Sequence, residues 1–125
     1  DPFVTVTLHD VKFSGDGNND NNLASLGQKI AVETTHETSC VNDNGFCPAW
    51  NETKGKEFTV LNPDIAIFHF NVQDADMVSS ADIADAAVPV AALKKGFRNI
   101  QLHDKKSNRR RGPFDFATLL IEIVF

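Results

Sequence analysis

The chain of 125 residues reads as an all-β protein, an antiparallel β-sandwich of about seven strands. Three observations predict this. Short segments alternate apolar and polar residues with a period of two. Clusters of Asn, Asp, Gly and Pro punctuate those segments as turn signals. No stretch sustains the 3.6-residue apolar period of a long helix. The length suits one compact domain over residues 1–125.

The first strand is predicted over residues 3–8, with Val4, Val6 and Leu8 facing in and Thr5, Thr7 and His9 facing out. Residues 12–27 form a loop rich in Asn, Asp and Gly. Its Asp16–Asn22 run resembles a calcium-binding EF-hand loop only superficially. Asn21 stands where such a loop needs Gly, Gly27 stands where it needs Glu, and no helices flank it. Residues 28–41 keep Ile30, Val32, Thr34, His36, Thr38 and Cys40 on one face, which reads as one long or bent strand or, from its polar middle, as a strand interrupted near Thr35. Asn42-Asp43-Asn44-Gly45 is a turn signal, after which Phe46 and Trp50 anchor either side of Pro48. Residues 57–61 resume a strand with Phe58 and Val60 inward.

Residues 65–73 are the clearest strand: Ala66, Phe68, Phe70 and Val72 build one apolar face, opposite Ile67, His69, Asn71 and Gln73. It runs into an acidic loop carrying Asp74, Asp76 and Asp82. Asp74 and Asp76 are two apart and point the same way, so their repulsion calls for a cation; a solvated turn accounts for the same residues. Residues 87–90 read as a short strand ended by Pro89, residues 91–96 as at most one helical turn stopped by Gly96, and residues 97–102 as a strand with Ile100 and Leu102 inward. A basic loop covers residues 104–112. Residues 116–125 close the chain as a strand apolar on both faces, hence expected at the centre of a sheet.

Net charge is −5, yet eight of the 12 Lys and Arg residues lie between Lys94 and Arg111, which separates an acidic surface from a basic one. No apolar run reaches membrane-spanning length and no signal-peptide pattern is present, so a soluble chain is expected. The absence of Met at position 1 reads as a fragment or processed chain. Cys40 and Cys47 match no zinc spacing and are expected as reduced thiols of a cytosolic protein, though a single bridge is open to them. His9, His36, His69 and His103 match no catalytic spacing and no nucleophile–base pair is apparent, so catalysis by this chain is not expected. Net acidity and the lack of a recognition motif argue against nucleic acid as a partner.

Several stretches, taken in order, resemble the C2 domain of phosphoinositide-specific phospholipase C. They are Asp1-Pro2-Phe3-Val4, Asp43-Asn44-Gly45-Phe46-Cys47-Pro48-Ala49-Trp50, Pro63-Asp64-Ile65-Ala66-Ile67, Val72-Gln73-Asp74-Ala75-Asp76, and Val88-Pro89 through Leu93 and Gly96-Phe97-Arg98 to Leu102. Pro48-x-Trp50 and Gly96-Phe97-Arg98 are the most specific of them. The resemblance implies a Greek-key sandwich that lacks the first family strand. It implies a calcium site of Asp1, Asp43, Asp74, Asp76 and Asp82, with Ala75 contributing its carbonyl, on loops at one end. It also implies calcium-dependent binding to an anionic phospholipid membrane, for a cytoplasmic, peripheral parent enzyme that hydrolyses phosphatidylinositol bisphosphate. Met77 and Val78 are then candidates to dip into the bilayer, or else ordinary surface apolars. Lys105, Lys106, Arg109, Arg110 and Arg111 are candidates to reinforce attraction to lipid, or else a solvated loop. Asp82-Ile83-Ala84-Asp85 departs from the family pattern, with Ala84 where Gly is usual. The alternative is a calcium-independent domain that packs on the parent's catalytic domain or a protein partner.

Overall fold

The computed structural model describes residues 1–13, 29–41, 48–52, 55–76, 78–104 and 117–125. Seven strands run through them: β1 (Pro2–Phe13), β2 (Lys29–Glu37), β3 (Ile67–Ala75), β4 (Ser80–Pro89), β5 (Gly96–Gln101), β6 (His103–Asp104) and β7 (Thr118–Ile123). All pairings are antiparallel. One sheet has the order β2-β1-β3-β4-β6, and β5 pairs with β7 in a second. Among the described residues one 3-10 turn, Val90–Ala92, interrupts the strands and no α-helix occurs.

The alternation that predicts the strands also builds the core. Val4, Phe70, Val72, Ala84 and Ala86 from the first sheet meet Ile100, Leu102 and Leu119 from the second side of the sandwich. Leu8, at 1% exposure, is the most deeply enclosed large side chain. Such a residue contributes about 1.5–3 kcal/mol through burial alone. Val6, Trp50, Phe68, Ile83 and Ile121 close the margins of the core.

Four expectations are corrected. The strand expected over residues 57–61 is not a strand: Phe58 packs edge-on against Phe68, ring centroids 5.1 Å apart, and the chain passes into a turn. Residues 80–85, read as loop, belong to β4, because the long ladder with β3 overrides their polar composition. β2 has no break near Thr35, which pairs in register with Thr7 and meets its hydroxyl at 3.3 Å. Among the described strands β7 pairs with β5 alone and so has one edge without a partner strand there; Leu120 on it, and Val124 and Phe125 beyond it, are exposed.

One buried polar residue was not singled out from the sequence. Asp10 is 6% exposed, and its carboxylate accepts the backbone N–H of Val11 at 2.7 Å, of Leu61 at 2.6 Å and of Asn62 at 3.3 Å. The Asn62 side-chain amide returns a bond to the Val11 carbonyl. This carboxylate takes the place of a ladder partner for residues 61–62 and ties the turn before β3 to β1. Cys40 is exposed and not in a disulfide; Cys47 lies outside the described residues.

Candidate functional site

Strand register places the candidate ligands. Pro2 of β1 sits opposite Asp74 of β3, and Ala81 of β4 lies on the other side of Asp74. The Ala75 N–H donates to the Asp1 carbonyl at 2.9 Å, which holds the start of β1 beside the end of β3. The Pro2 carbonyl accepts both the Val41 N–H at 3.0 Å and the Trp50 indole N–H at 3.2 Å. Trp50 thus ties the chain before β3 to the same end of the sandwich, and its half-buried ring packs on the core.

β3 and β4 are joined by a tight turn in which the Asp76 N–H donates to the Ser79 carbonyl at 2.8 Å. Val78 projects from this turn at 95% exposure. Asp1, Asp74 and Asp76 are therefore brought to one solvent-facing end. The α-nitrogen of Asp1 lies 2.5 Å from Asp74 Oδ1, with the two side chains 43% and 55% exposed. That nitrogen is an ammonium only where Asp1 starts the chain.

Asp82 takes a different position. Val72 pairs with Ala84 but Gln73 pairs with Asp82, so the ladder contains a β-bulge at Ile83. The bulge returns Asp82 to the sheet face of Asn71 and Gln73, opposite to that of Phe70, Val72 and Asp74. Its Oδ1 accepts the Asn71 and the Gln73 side-chain amides, each at 3.0 Å, and Gln73 in turn accepts the Thr5 hydroxyl at 3.1 Å. One oxygen of the Asp82 carboxylate is thus held by two side-chain amides.

The donor set at this end is all oxygen, the chemistry that calcium and magnesium prefer. Asp1, Asp74 and Asp76 match a hard cation in donor type. Among the described residues, no three His, Cys, Asp or Glu side chains stand close enough together to hold an ion as placed. Ala75 ends β3 opposite Ser80, with its N–H engaged by Asp1. Asp43, Met77, Lys105, Lys106, Arg109, Arg110 and Arg111 lie outside the described residues. No helix among the described residues is long and apolar enough to cross a membrane.

With this geometry in place, similarity to known proteins becomes informative. Human 1-phosphatidylinositol 4,5-bisphosphate phosphodiesterase gamma-2 is 36% identical over 87 residues, covering 68% of this chain and 7% of that protein. The human delta-1 enzyme is 31% identical over 124 residues, covering 98% of this chain and 13% of its own length. The chain is homologous to a segment of these phosphodiesterases. Mouse delta-3 agrees, at 36% identity over 106 residues, 84% of this chain and 11% of that enzyme. The chain thus spans only about a tenth of the length of such relatives, consistent with one domain derived from a phospholipase C. No family model matches it, and no solved structure matches it.

Proposed function

We propose that this chain is the C2 domain of a phosphoinositide phospholipase C and that it recruits its parent enzyme to anionic phospholipid in response to calcium. The observation that supports this most strongly is the register of β1, β3 and β4, which collects Asp1, Asp74 and Asp76 beside the exposed Val78. In this reading Asp74 and Asp76 hold the ion, with Asp1 and the Ala75 carbonyl beside them and Asp43 as a further candidate ligand. Bound calcium supplies positive charge that offsets these carboxylates and offers open coordination to a lipid phosphate. Without it, the aspartates repel an anionic surface.

Val78, with Met77, then meets the interfacial layer. Lys105, Lys106, Arg109, Arg110 and Arg111 add attraction of roughly 1 kcal/mol per basic residue close to an anionic surface. The domain contributes targeting, and the chemistry belongs to the parent: hydrolysis of phosphatidylinositol 4,5-bisphosphate, the substrate named for the relatives. The location this implies is cytoplasmic and peripheral to the membrane.

A second reading has an observation of its own. Asp82 is engaged by Asn71 and Gln73, while Leu61, Ile65 and Ile67 are exposed apolar residues on and beside the turn that leads into β3. Those features suit a calcium-independent domain that packs against the catalytic domain. Sedimentation with phosphatidylserine-containing vesicles separates the two. Calcium-dependent sedimentation supports recruitment; sedimentation that is absent, or equal in chelator, supports the packing reading.

A further inference from the structure

A second group of titratable side chains crosses the outer face of the first sheet. Register sets it in a row. Glu33 of β2 sits opposite His9 of β1. His69 of β3, opposite Thr7, lies one diagonal step from His9. Asp85 of β4, opposite Asn71, lies one diagonal step from His69. Opposite and diagonal residues of this kind share a face and come within reach of each other. The order across the face is carboxylate, imidazole, imidazole, carboxylate. Glu33 Oε1 lies 3.3 Å from His9 Nδ1, and Asp85 Oδ2 lies 2.8 Å from His69 Nε2. The two rings stand between the carboxylates, centroids 6.4 Å apart and planes inclined at 56°. Asp74 is five positions along β3 from His69, roughly 16 Å at about 3.3 Å per residue, so this group is distinct from the acidic turn.

Each carboxylate fixes one nitrogen of its ring. A neutral imidazole carries one N–H and one lone pair, and the nitrogen that donates to a carboxylate leaves the lone pair on the other. In His69 that other atom is Nδ1; in His9, with Nδ1 beside Glu33, it is Nε2. Neither atom has a hydrogen-bond or ion-pair partner among the described residues. Two lone pairs on neighbouring rings satisfy nothing in each other, because neither donates. One ion with affinity for nitrogen satisfies both. A carboxylate on the ring nitrogen turned away from the metal is the usual support of a ligating histidine, where it fixes the tautomer and raises the basicity of the ligand. Here both rings have that support.

Donor type chooses the ion. Imidazole nitrogen suits zinc, copper and nickel, whereas calcium and magnesium take oxygen. With zinc–nitrogen bonds of about 2.0–2.1 Å, two imidazoles on one ion have centroids roughly 5–6.5 Å apart, and the observed 6.4 Å falls within that range. We infer that His9 and His69 bind a divalent transition-metal ion of the zinc type between β1 and β3, backed by Glu33 and Asp85 and independent of calcium. Among the described residues no third ligating side chain stands with them, so water takes the remaining positions of a four-coordinate ion. The bound ion clips β1 to β3 on the face opposite the core.

The test titrates zinc chloride into the full chain by calorimetry, with Cys40→Ser/Cys47→Ser to remove competing thiols and excess calcium to compete at oxygen-only sites. One saturable zinc ion is expected. His9→Ala and His69→Ala should each weaken its binding by roughly tenfold or more, and Asp85→Asn by about tenfold, the scale of a lost supporting carboxylate. His36→Ala, on the other face of β2, and His103→Ala, beyond Asp85 on β6, should leave it unchanged. Zinc-induced NMR shifts of the His9 and His69 ring signals, with those of His36 unmoved, would show the same site in the chain with both histidines intact. Absence of saturable zinc binding, or an equal loss with His36→Ala or His103→Ala, would overturn the inference.

Discussion

The two ends of β1 use aspartate in opposite ways. Near its far end, Asp10 is enclosed and its carboxylate is occupied by three backbone N–H groups of the same chain. At its start, Asp1, Asp74 and Asp76 stand exposed and side by side. The first arrangement consumes the carboxylate's accepting capacity within the fold and makes it a structural tie. The second keeps its carboxylates at the surface, within reach of solvent and dissolved ions. Identity of residue type therefore says little; what donates to the carboxylate decides its role.

Substitutions that break this contrast should do so unequally. Asp10→Ala strands buried N–H groups, and a loss of about 3 kcal/mol is expected in urea unfolding. Asp10→Asn retains one accepting oxygen and should lose roughly half of that. Trp50→Phe keeps the ring in the core margin but removes the bond to the Pro2 carbonyl. A loss of about 1 kcal/mol is expected, together with weaker calcium response, since that bond secures the start of β1. Asp82→Asn preserves the shape of the group held by Asn71 and Gln73. It should change stability by less than about 0.5 kcal/mol and calcium affinity far less than Asp74→Asn, measured by calorimetry.

Much of the fold was legible because burial enforces alternation. Val4, Val6 and Leu8, and Ala66, Phe68, Phe70 and Val72, declare their strands directly. β4 was not, since Asp82 and Asp85 look like loop residues until β3 is known to pair with them; Asp85 in fact meets His69 at 2.8 Å on the outer face. Residues 57–61 alternate like a strand, yet Phe58 serves as a ring packed on Phe68, and Asp10 takes the following N–H groups. Asp10 itself carries no sequence signal, because its partners lie some 50 positions away. For the acidic end, the Asp74-x-Asp76 spacing stood out from the residues, whereas Asp1 entered only through the family resemblance. The orientation of Asp82 depends on a bulge created by pairing, which no single segment encodes.

The most direct test of the account follows backbone amide signals by NMR as calcium is added. Saturable shifts are predicted at Asp74, Ala75, Asp76 and Ser79, with Leu61 and Asn62 beside Asp10 unmoved, and the shifts should vanish in Asp74→Asn/Asp76→Asn. Absence of saturable shifts at residues 74–79, or their survival in the double variant, would contradict calcium binding at the acidic end.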